Sequence, residues 1–356
     1  MQPFAEMAEL GHEQVVFCRN DDVGLRAIIG VHNTVLGPAL GGCRLYDYAS
    51  EADALRDVLR LSRGMTFKAA MAGLDLGGGK AVIVGDPSIK SEALFRAFGR
   101  HVESLGGRYI TAEDMNTNVE DMNHIARETR FVTGSGAHLG GSGDPSPVTA
   151  WGVFHAIRAC LEVVYGTSDL AGRTVAIQGV GNVGYRLAKF LHDAGAKLVY
   201  GDINGRNIER AMSEFGGSVV EGSDWYKAAC DVLAPCAIGG VINARTIPHV
   251  RAPIVCGGAN NILEVEDRDS EVLAERKITY APDYVVNAGG LISVYSELKH
   301  FPAQKAMDDA ANIFNTTKRV LFKAQAEGTS TTTASNRMAQ ERIEQVAKIK
   351  RLRLPG

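Results

Sequence analysis

No uninterrupted apolar run in the chain approaches the roughly 18 residues of a membrane-spanning helix. Met1 to Gly11 carries two acidic residues and lacks the apolar block of roughly 7–15 residues that marks a secretory signal. The expected location is therefore the cytoplasm. Charge of one sign is missing as well: 38 basic against 41 acidic residues leave a formal net charge of −3, which provides no field to draw the chain to nucleic acid or an acidic membrane. Small-molecule partners are expected instead. The six cysteines (Cys18, Cys43, Cys160, Cys230, Cys236, Cys256) are scattered, with no C-x-x-C pair and no histidine/cysteine cluster at zinc-ligand spacing, so no metal is expected and the thiols read as free. No internal repeat is visible. A hydrophobic fraction of 45% and a charged fraction of 22% exclude disorder, collagen-like repetition and coiled coil.

Length and glycine are what the chain has in quantity. With 356 residues, two domains are expected, and the 40 glycines cluster in short loops where function should be sought. Glu13 to Val35 reads as two β-rich runs around Asn20-Asp21-Asp22 and a glycine, a hairpin signal. Glu51 to Met65 has helical spacing with Ser50 as its cap, and leads to Lys68. Leu74-Asp-Leu-Gly-Gly-Gly-Lys80 precedes the β-like run Ala81 to Val84, placing Lys80 at a loop-to-strand junction. Ser91 to Leu105 reads as a helix, and Arg108 to Thr111 as a strand entering the polar loop Ala112 to Asn118. Gly134 to Pro147 is so rich in Gly, Ser and Pro that it reads as a mobile connection between domains, with a smaller hinge candidate at Asn287-Ala-Gly-Gly290. Helical stretches at Ala303–Ala326 and Ala334–Lys350, around a Gly/Thr/Ser-rich break, lead into a basic tail that reads as a solvated face.

Arg173 to Gln178 has a buried-strand pattern, followed at once by Gly179-Val180-Gly181-Asn182-Val183-Gly184 and a helix to Ala194. In such a strand, G-x-G-x-x-G, helix unit, the first glycine makes the tight turn, the second admits a pyrophosphate and the third lets helix and strand pack closely. Ala196 to Gly201 supplies the second strand, and Asp202 at its end is placed to accept hydrogen bonds from the adenosine ribose and to repel a 2′-phosphate, favouring NAD over NADP. Asp231–Cys236 and Pro253–Asn261 read as further strands of the same sheet. Cys236 reads as a small buried hydrophobe rather than a nucleophile.

Lys68 and Lys80 flank a nearly uncharged stretch in which Asp75 is the other ionisable side chain. A lysine behind three glycines is approachable by substrate, and desolvation together with a neighbouring cation would suit it to general-base work. Leu74-Asp-Leu-Gly-Gly-Gly-Lys-Ala-Val-Ile-Val-Gly-Asp-Pro87 resembles the active-site signature of the amino acid dehydrogenases that act on glutamate, leucine, phenylalanine and valine. Gly37–Arg44, Thr111–Asp114, the glycine turn, Ala234–Ala237, Gly258–Asn261 and Pro282–Gly290 follow in that family's order, so the resemblance covers nearly the whole chain.

The resemblance implies an α/β fold of two domains separated by a cleft. A substrate-binding, catalytic and oligomerisation domain would take residues 1–135, a Rossmann-type NAD-binding domain 136–330, and a helical segment 331–356 would pack back on the first. It implies reversible, NAD-dependent oxidative deamination of an L-amino acid to a 2-oxo acid and ammonium by a homo-oligomer, commonly an octamer. Lys80 would be the catalytic lysine that activates water, Asp114 the proton carrier at the amine, and Lys68 the partner of the α-carboxylate, with Asn261 and the backbone at Gly41 and Gly42 fixing the substrate. The dinucleotide would lie against Thr149, the Gly179–Gly184 turn, Asp202 and Ile203, Cys236 and Ala237, Ala259 and Asn260, and Asn287. Glutamate-specific relatives carry a lysine and a serine where this chain has Leu40 and Val294, and a buried carboxylate facing two hydrocarbons would be unpaired, so glutamate is rejected. Leu40, Met65, Ala112, Leu291 and Val294 are expected to line the side-chain pocket. Thr111-Ala-Glu-Asp114 resembles the leucine-specific members and Gly290-Leu-Ile the phenylalanine and tryptophan ones. Leucine and other branched-chain substrates are the expectation, phenylalanine the alternative. Two rivals are a non-catalytic NAD-binding regulator, which should have lost Lys80 or Asp114, and a 2-hydroxy acid dehydrogenase, which needs a paired catalytic histidine that neither His124 nor His138 supplies.

Overall fold

Asn20 stands between two apolar runs, and its side chain accepts a hydrogen bond from the Asp22 amide at 3.1 Å while Gly24 closes the turn at φ +68°. The expected hairpin forms here in the computed structural model: β1 (Gln14–Asn20) pairs antiparallel with β2 (Leu25–Asn33). The structure describes residues 2–136, 143–220 and 224–349; His138, the middle of the Gly134–Pro147 stretch and the basic tail lie outside them. Two units result, one of Met1–Gly143, Glu297–His300 and Ala339–Gly356, the other of Asp144–Ser296 and Phe301–Met338. No helix among the described residues is long and apolar enough to cross a membrane.

The first unit holds α1 (Pro3–Leu10), β3 (Ala39–Tyr46), α2 (Glu51–Met71), β4 (Gly77–Val84), α3 (Glu92–Ser104), β5 (Tyr109–Glu113) and α4 (Val119–Ala126). Its sheet runs β1-β2-β4-β3-β5, antiparallel over the first three strands and parallel over the last three. Both faces are covered, which is why β2 and β4 are apolar almost throughout. Ile28 and Val82 pack with Leu55, Val58 and Leu59 of α2, whereas Ile29, Val31 and Ile83 pack with Leu94, Phe95 and Phe98 of α3. Full burial of each such side chain contributes about 1.5–3 kcal/mol. Ser50 caps α2 by accepting from the Asp53 amide at 3.1 Å.

Two expectations are corrected here. The helix from Glu51 continues to Met71, so Lys68 lies in its last turn rather than beyond it; Ser62 and Thr66, which could have broken it, turn their hydroxyls back on carbonyls of the preceding turn. The Gly77-Gly-Gly79 triplet is not a loop before the strand but its first residues, so Lys80 stands in mid-strand. The glycines are there for space: a Cβ at Gly77 would collide with Asn33 O, one at Gly78 with the amide and hydroxyl of Thr66, and one at Gly79 would come within 2.7 Å of the Tyr109 ring.

The second unit begins with α5 (Ser146–Tyr165), followed by β6 (Thr174–Gln178), α6 (Asn182–Asp193), β7 (Lys197–Gly201), α7 (Gly205–Phe215), β8 (Ser218–Val219), β9 (Val232–Pro235), β10 (Ile254–Val255), α8 (Glu266–Glu275), β11 (Thr279–Tyr280), α9 (Asp283–Val286), α10 (Gly289–Leu298), α11 (Ala303–Ala311), α12 (Ile313–Glu327) and α13 (Thr331–Ile349). The six strands are all parallel, in the order β11-β10-β9-β6-β7-β8. Strand order reverses between β6 and β9, and ligands of such sheets collect at that point beyond the carboxyl ends. Asn287–Gly290 is not a joint: it is packed inside this unit, where a Cβ on Gly289 would collide with Val148 O. The expected helix Ala303–Ala326 is two helices, interrupted at Asn312, whose side chain bonds locally to Asn315 at 2.9 Å. The last helix starts inside the threonine run at Thr331, because Gly328 ends α12 at φ +61° and Ser330 caps the Thr333 amide at 3.2 Å. From Ala339 onward α13 belongs to the first unit, where Arg342 donates to Ala69 O (3.2 Å) and Ala70 O (2.8 Å) at the end of α2.

Candidate active site

Parallel pairing of β4, β3 and β5 brings the first group of expected residues together. Leu40 stands opposite Gly78 and Ile110, Gly41 opposite Thr111, and Gly42 opposite Ala112. Close approach dictates the two glycines: a Cβ on Gly41 would collide with Gly79 O, and one on Gly42 would lie 2.8 Å from Asp114 Cβ. The Tyr109 hydroxyl donates to Gly41 O at 2.6 Å and fixes this stretch from the opposite side. Lys80 shares the parity of Gly78 and Val82 and so projects on the face that α2 covers.

Lys80 is 7% exposed, and its Nζ forms a short ion pair with Asp114 Oδ2. Asp114 follows the last residue of β5, and its amide is held by Thr117 Oγ1 at 2.8 Å. Burial alone would push its carboxyl up; Lys80 and then Arg44 outweigh that and hold it below the ordinary carboxylate value. Here is a buried amine and a carboxylate in contact, the pair that moves protons at a substrate atom in many enzymes. Met65 and Lys68 stand half-buried on the last three turns of α2, and Ala112 is half-buried near the end of β5. Sequence reading gave Arg44 no role. Strand periodicity from Gly42 would have placed it on the Asp114 face, but its other partner, Asp57, comes from α2.

The second group assembles around the reversal point of the parallel sheet. Gly179 takes φ +88°, and a Cβ there would come within 2.5 Å of Ala237 Cβ; a Cβ on Gly184 would collide with Gly179 O and lie 3.4 Å from Cys236 Cβ. Around Gly181 nothing stands within 4 Å of where a Cβ would be, and no side chain caps α6 at its N-terminus. The exposed glycine and bare helix end leave room and amides for a pyrophosphate. Asp202 Oδ2 accepts from the Val180 amide at 2.6 Å, and its Oδ1 from the Asn204 amide at 2.8 Å. Ile203 beside it is fully exposed, as is Asn182 in large part, while Val183 packs 3.0 Å from where Gly258 would carry a Cβ. Asn287 donates to Ala259 O (3.2 Å) and Asn260 Oδ1 (2.8 Å), and its buried Oδ1 finds no hydrogen-bond partner among the described residues. That orphaned acceptor suits an amide donor such as a carboxamide. Thr149 Oγ1 donates to Pro145 O at 3.1 Å and lies 3.2 Å from a Cβ position on Gly290. Asn261 adopts φ +51°, and its carbonyl accepts from the Gly240 amide at 2.7 Å. Leu291 is buried and Val294 half-buried on α10. Burial pushes the Cys236 thiol up to about 12, so it is no thiolate nucleophile.

These residues fit a nicotinamide dinucleotide. A family model described as Glu/Leu/Phe/Val dehydrogenase, dimerisation domain, matches residues 12–131, and one described as Glutamate/Leucine/Phenylalanine/Valine dehydrogenase matches 140–206 and 202–351. The chain is 49% identical over 349 residues to a leucine dehydrogenase of Geobacillus stearothermophilus, covering 98% of this chain and 95% of the relative. It is 47% identical over 354 residues to a phenylalanine dehydrogenase of Thermoactinomyces intermedius, covering 99% and 96%. The crystal structure of L-tryptophan dehydrogenase from Nostoc punctiforme matches with a TM-score of 0.88 at 43% identity, covering 97% of this chain and 99% of that one. With a buried lysine–carboxylate pair on one sheet, a G-x-G-x-x-G turn on the other and relatives of this likeness along its length, the chain belongs to the Glu/Leu/Phe/Val dehydrogenase family and is an amino acid dehydrogenase.

Proposed function

We propose that the protein catalyses NAD-dependent oxidative deamination of leucine and other branched-chain L-amino acids, with Lys80 and Asp114 as the catalytic residues. The observation that carries the reading is the buried Lys80–Asp114 ion pair, with Gly41, Gly42 and Gly77–Gly79 closely packed beside it. Lys68 binds the substrate α-carboxylate as a point charge, assisted by the backbone at Gly41 and Gly42 and by Asn261. Bound at the Gly179–Gly184 turn, the dinucleotide supplies the acceptor for the hydride that leaves the α-carbon. Asp114 takes a proton from the substrate ammonium so that the carbon is oxidised from the neutral amine. Lys80, in its neutral form, takes a proton from water as the water adds to the resulting iminium carbon, giving a carbinolamine. Asp114 then returns a proton to the nitrogen, and the carboxylate so regenerated accepts the hydroxyl proton as the C–N bond breaks, leaving 2-oxo acid and ammonia; of the protons then held by Lys80 and Asp114, one converts ammonia to ammonium and the other passes to solvent.

The dinucleotide contacts proposed are Thr149, the turn residues, Asp202 and Ile203, Cys236 and Ala237, Ala259 and Asn260, and Asn287. Asp202 carries the preference for NAD, since a 2′-phosphate beside its carboxylate meets like charge. Leu40, Met65 and Ala112 in the first unit and Leu291 and Val294 in the second offer hydrocarbon and no charge to a substrate side chain. A second reading, phenylalanine or tryptophan as substrate, draws on the relatives of those specificities. We place the protein in the cytoplasm, where its six unpaired cysteines stay reduced, as a homo-oligomer, commonly an octamer in this family, assembled through the region matched by the dimerisation-domain model. Initial rates of dinucleotide reduction with leucine, valine, isoleucine, phenylalanine, tryptophan and glutamate test the substrate. Leucine is expected to exceed phenylalanine in kcat/KM by about tenfold or more, as one pocket's apolar fit allows, with glutamate inactive and NADP poorer than NAD. Preference for an aromatic substrate overturns the branched-chain assignment.

A further inference from the structure

Arg44 leaves β3 two residues beyond Gly42, on the same face of the sheet. Its Nε lies 3.4 Å from Asp114 Oδ2, and its Nη1 donates to Asp57 Oδ2 at 2.8 Å. Asp57, on α2, also accepts from the Tyr48 hydroxyl at 2.6 Å and from Arg60 Nη2 at 3.3 Å. With Arg44 and Asp57 side chains only 17% and 15% exposed, this is a partly buried network in which charge is weakly screened. A guanidinium keeps its proton in a protein, whereas Lys80 must shed its charge to activate water. We propose that Arg44 is a positioning residue: braced by Asp57, it fixes the Asp114 carboxylate and supplies the cation that keeps it an anion while Lys80 is neutral. The proposal rests on the acid–base reading of Lys80 and Asp114.

Asp114 is faced by Lys80 from β4, by Arg44 and Cys43 from β3, by Tyr109 from β5, and by Thr117 and the Met115 amide from the loop that follows. Burial pushes the Cys43 thiol and the Tyr109 phenol far up, so both remain neutral. Among the described residues, the formal charges that act on the carboxylate are therefore the two cations, Lys80 and Arg44. When Lys80 loses its proton, burial would favour the protonated acid at Asp114, and an acid already carrying its proton cannot accept another from the substrate nitrogen. Arg44 opposes that change.

The test is the pH profile of kcat/KM for leucine oxidation in the full-length enzyme and in Arg44→Met, Arg44→Lys and Asp57→Asn. Removing a cation favours protonated forms, so Arg44→Met is expected to move the ascending limb to higher pH by about one unit or more, with the dinucleotide Kd unchanged. Arg44→Lys should bring the limb back toward that of the parent. Asp57→Asn removes the anion that partly neutralises Arg44 and should move the limb to lower pH. A limb unmoved in Arg44→Met overturns the proposal, whatever the loss in kcat, as does an Arg44→Lys limb that coincides with that of Arg44→Met. Should Arg44→Met fail to fold, an unmoved limb in Asp57→Asn overturns it instead. Retained turnover in Asp114→Asn is a different result: it removes the acid–base reading itself.

Discussion

Gly181 and Gly184 are equivalent letters in a motif and opposite cases in space. A methyl on Gly184 has nowhere to go, because Gly179 O occupies its position, whereas a methyl on Gly181 meets no protein atom within 4 Å. The Gly181 backbone, at φ −76°, is also outside the left-handed region that favours glycine. Gly181→Ala is therefore expected to melt at the parent's temperature and yet bind the dinucleotide about tenfold or more weakly, a loss of roughly 1.4 kcal/mol, because its methyl would stand where the pyrophosphate is proposed to lie. Thermal melting with and without dinucleotide separates the two effects; a fall in the Tm of the free protein equal to that of Gly184→Ala contradicts the assignment. This division of labour was legible in the motif, since each glycine's role follows from strand, turn and helix geometry. Lys80 and Asp114 were legible because a lysine behind three glycines and an acidic loop already suggest acid–base chemistry. Arg44 was not, because its role depends on Asp57, which belongs to a helix whose placement no local pattern gives.

Helix α2 is tied to strand β2 and to the turn after α1 by polar groups that carry a pH dependence. His12 Nε2 lies 2.8 Å from Ser62 Oγ, His32 Nδ1 lies 2.7 Å from Thr66 Oγ1, and His32 Nε2 donates to Leu10 O at 3.0 Å. Thr66 in turn abuts Gly78 of β4. Burial holds both imidazoles down at about 4, from an ordinary 6.5, with Arg63 adding repulsion to each and His32 to His12. The folded chain binds these protons less readily than the unfolded one, so the stability is full above about pH 6.5 and is lost as pH falls toward 4. The pair accounts for on the order of a few kcal/mol at most. Thermal melts at pH 7 and pH 5 are expected to show a lower Tm at pH 5 and a smaller drop in His12→Gln; parallel curves for the two proteins contradict this. The same region shows where periodicity misleads. Gly77–Gly79 looks like a loop by composition, since glycine weakens strands, but the crowding of Asn33, Thr66 and Tyr109 leaves room for nothing larger. At the other end of the chain, Asn312 is inconspicuous in an amphipathic stretch, yet α11 ends and α12 begins there.

The two units each hold one group of the candidate site residues. One mixed sheet holds the lysine–carboxylate pair; one parallel sheet, with its order reversing between β6 and β9, holds the Gly179–Gly184 turn. The parallel sheet was largely legible, because each βα step repeats a short apolar strand ending in a small or polar residue. The composition of the first unit was less so, because Glu297–His300 and the chain from Ala339 return to it from far along the sequence, and Arg342 joins the end of α2 across more than half the chain. What the whole arrangement is for turns on a single side chain. The decisive measurement is kcat for leucine oxidation in Lys80→Ala at saturating NAD, alongside fluorescence titration of dinucleotide binding and a thermal melt. A fall of about 10²–10⁴-fold in kcat, with binding and Tm close to the parent's, is the expected result; turnover within a few-fold of the parent contradicts the assignment of Lys80 as the residue that activates water.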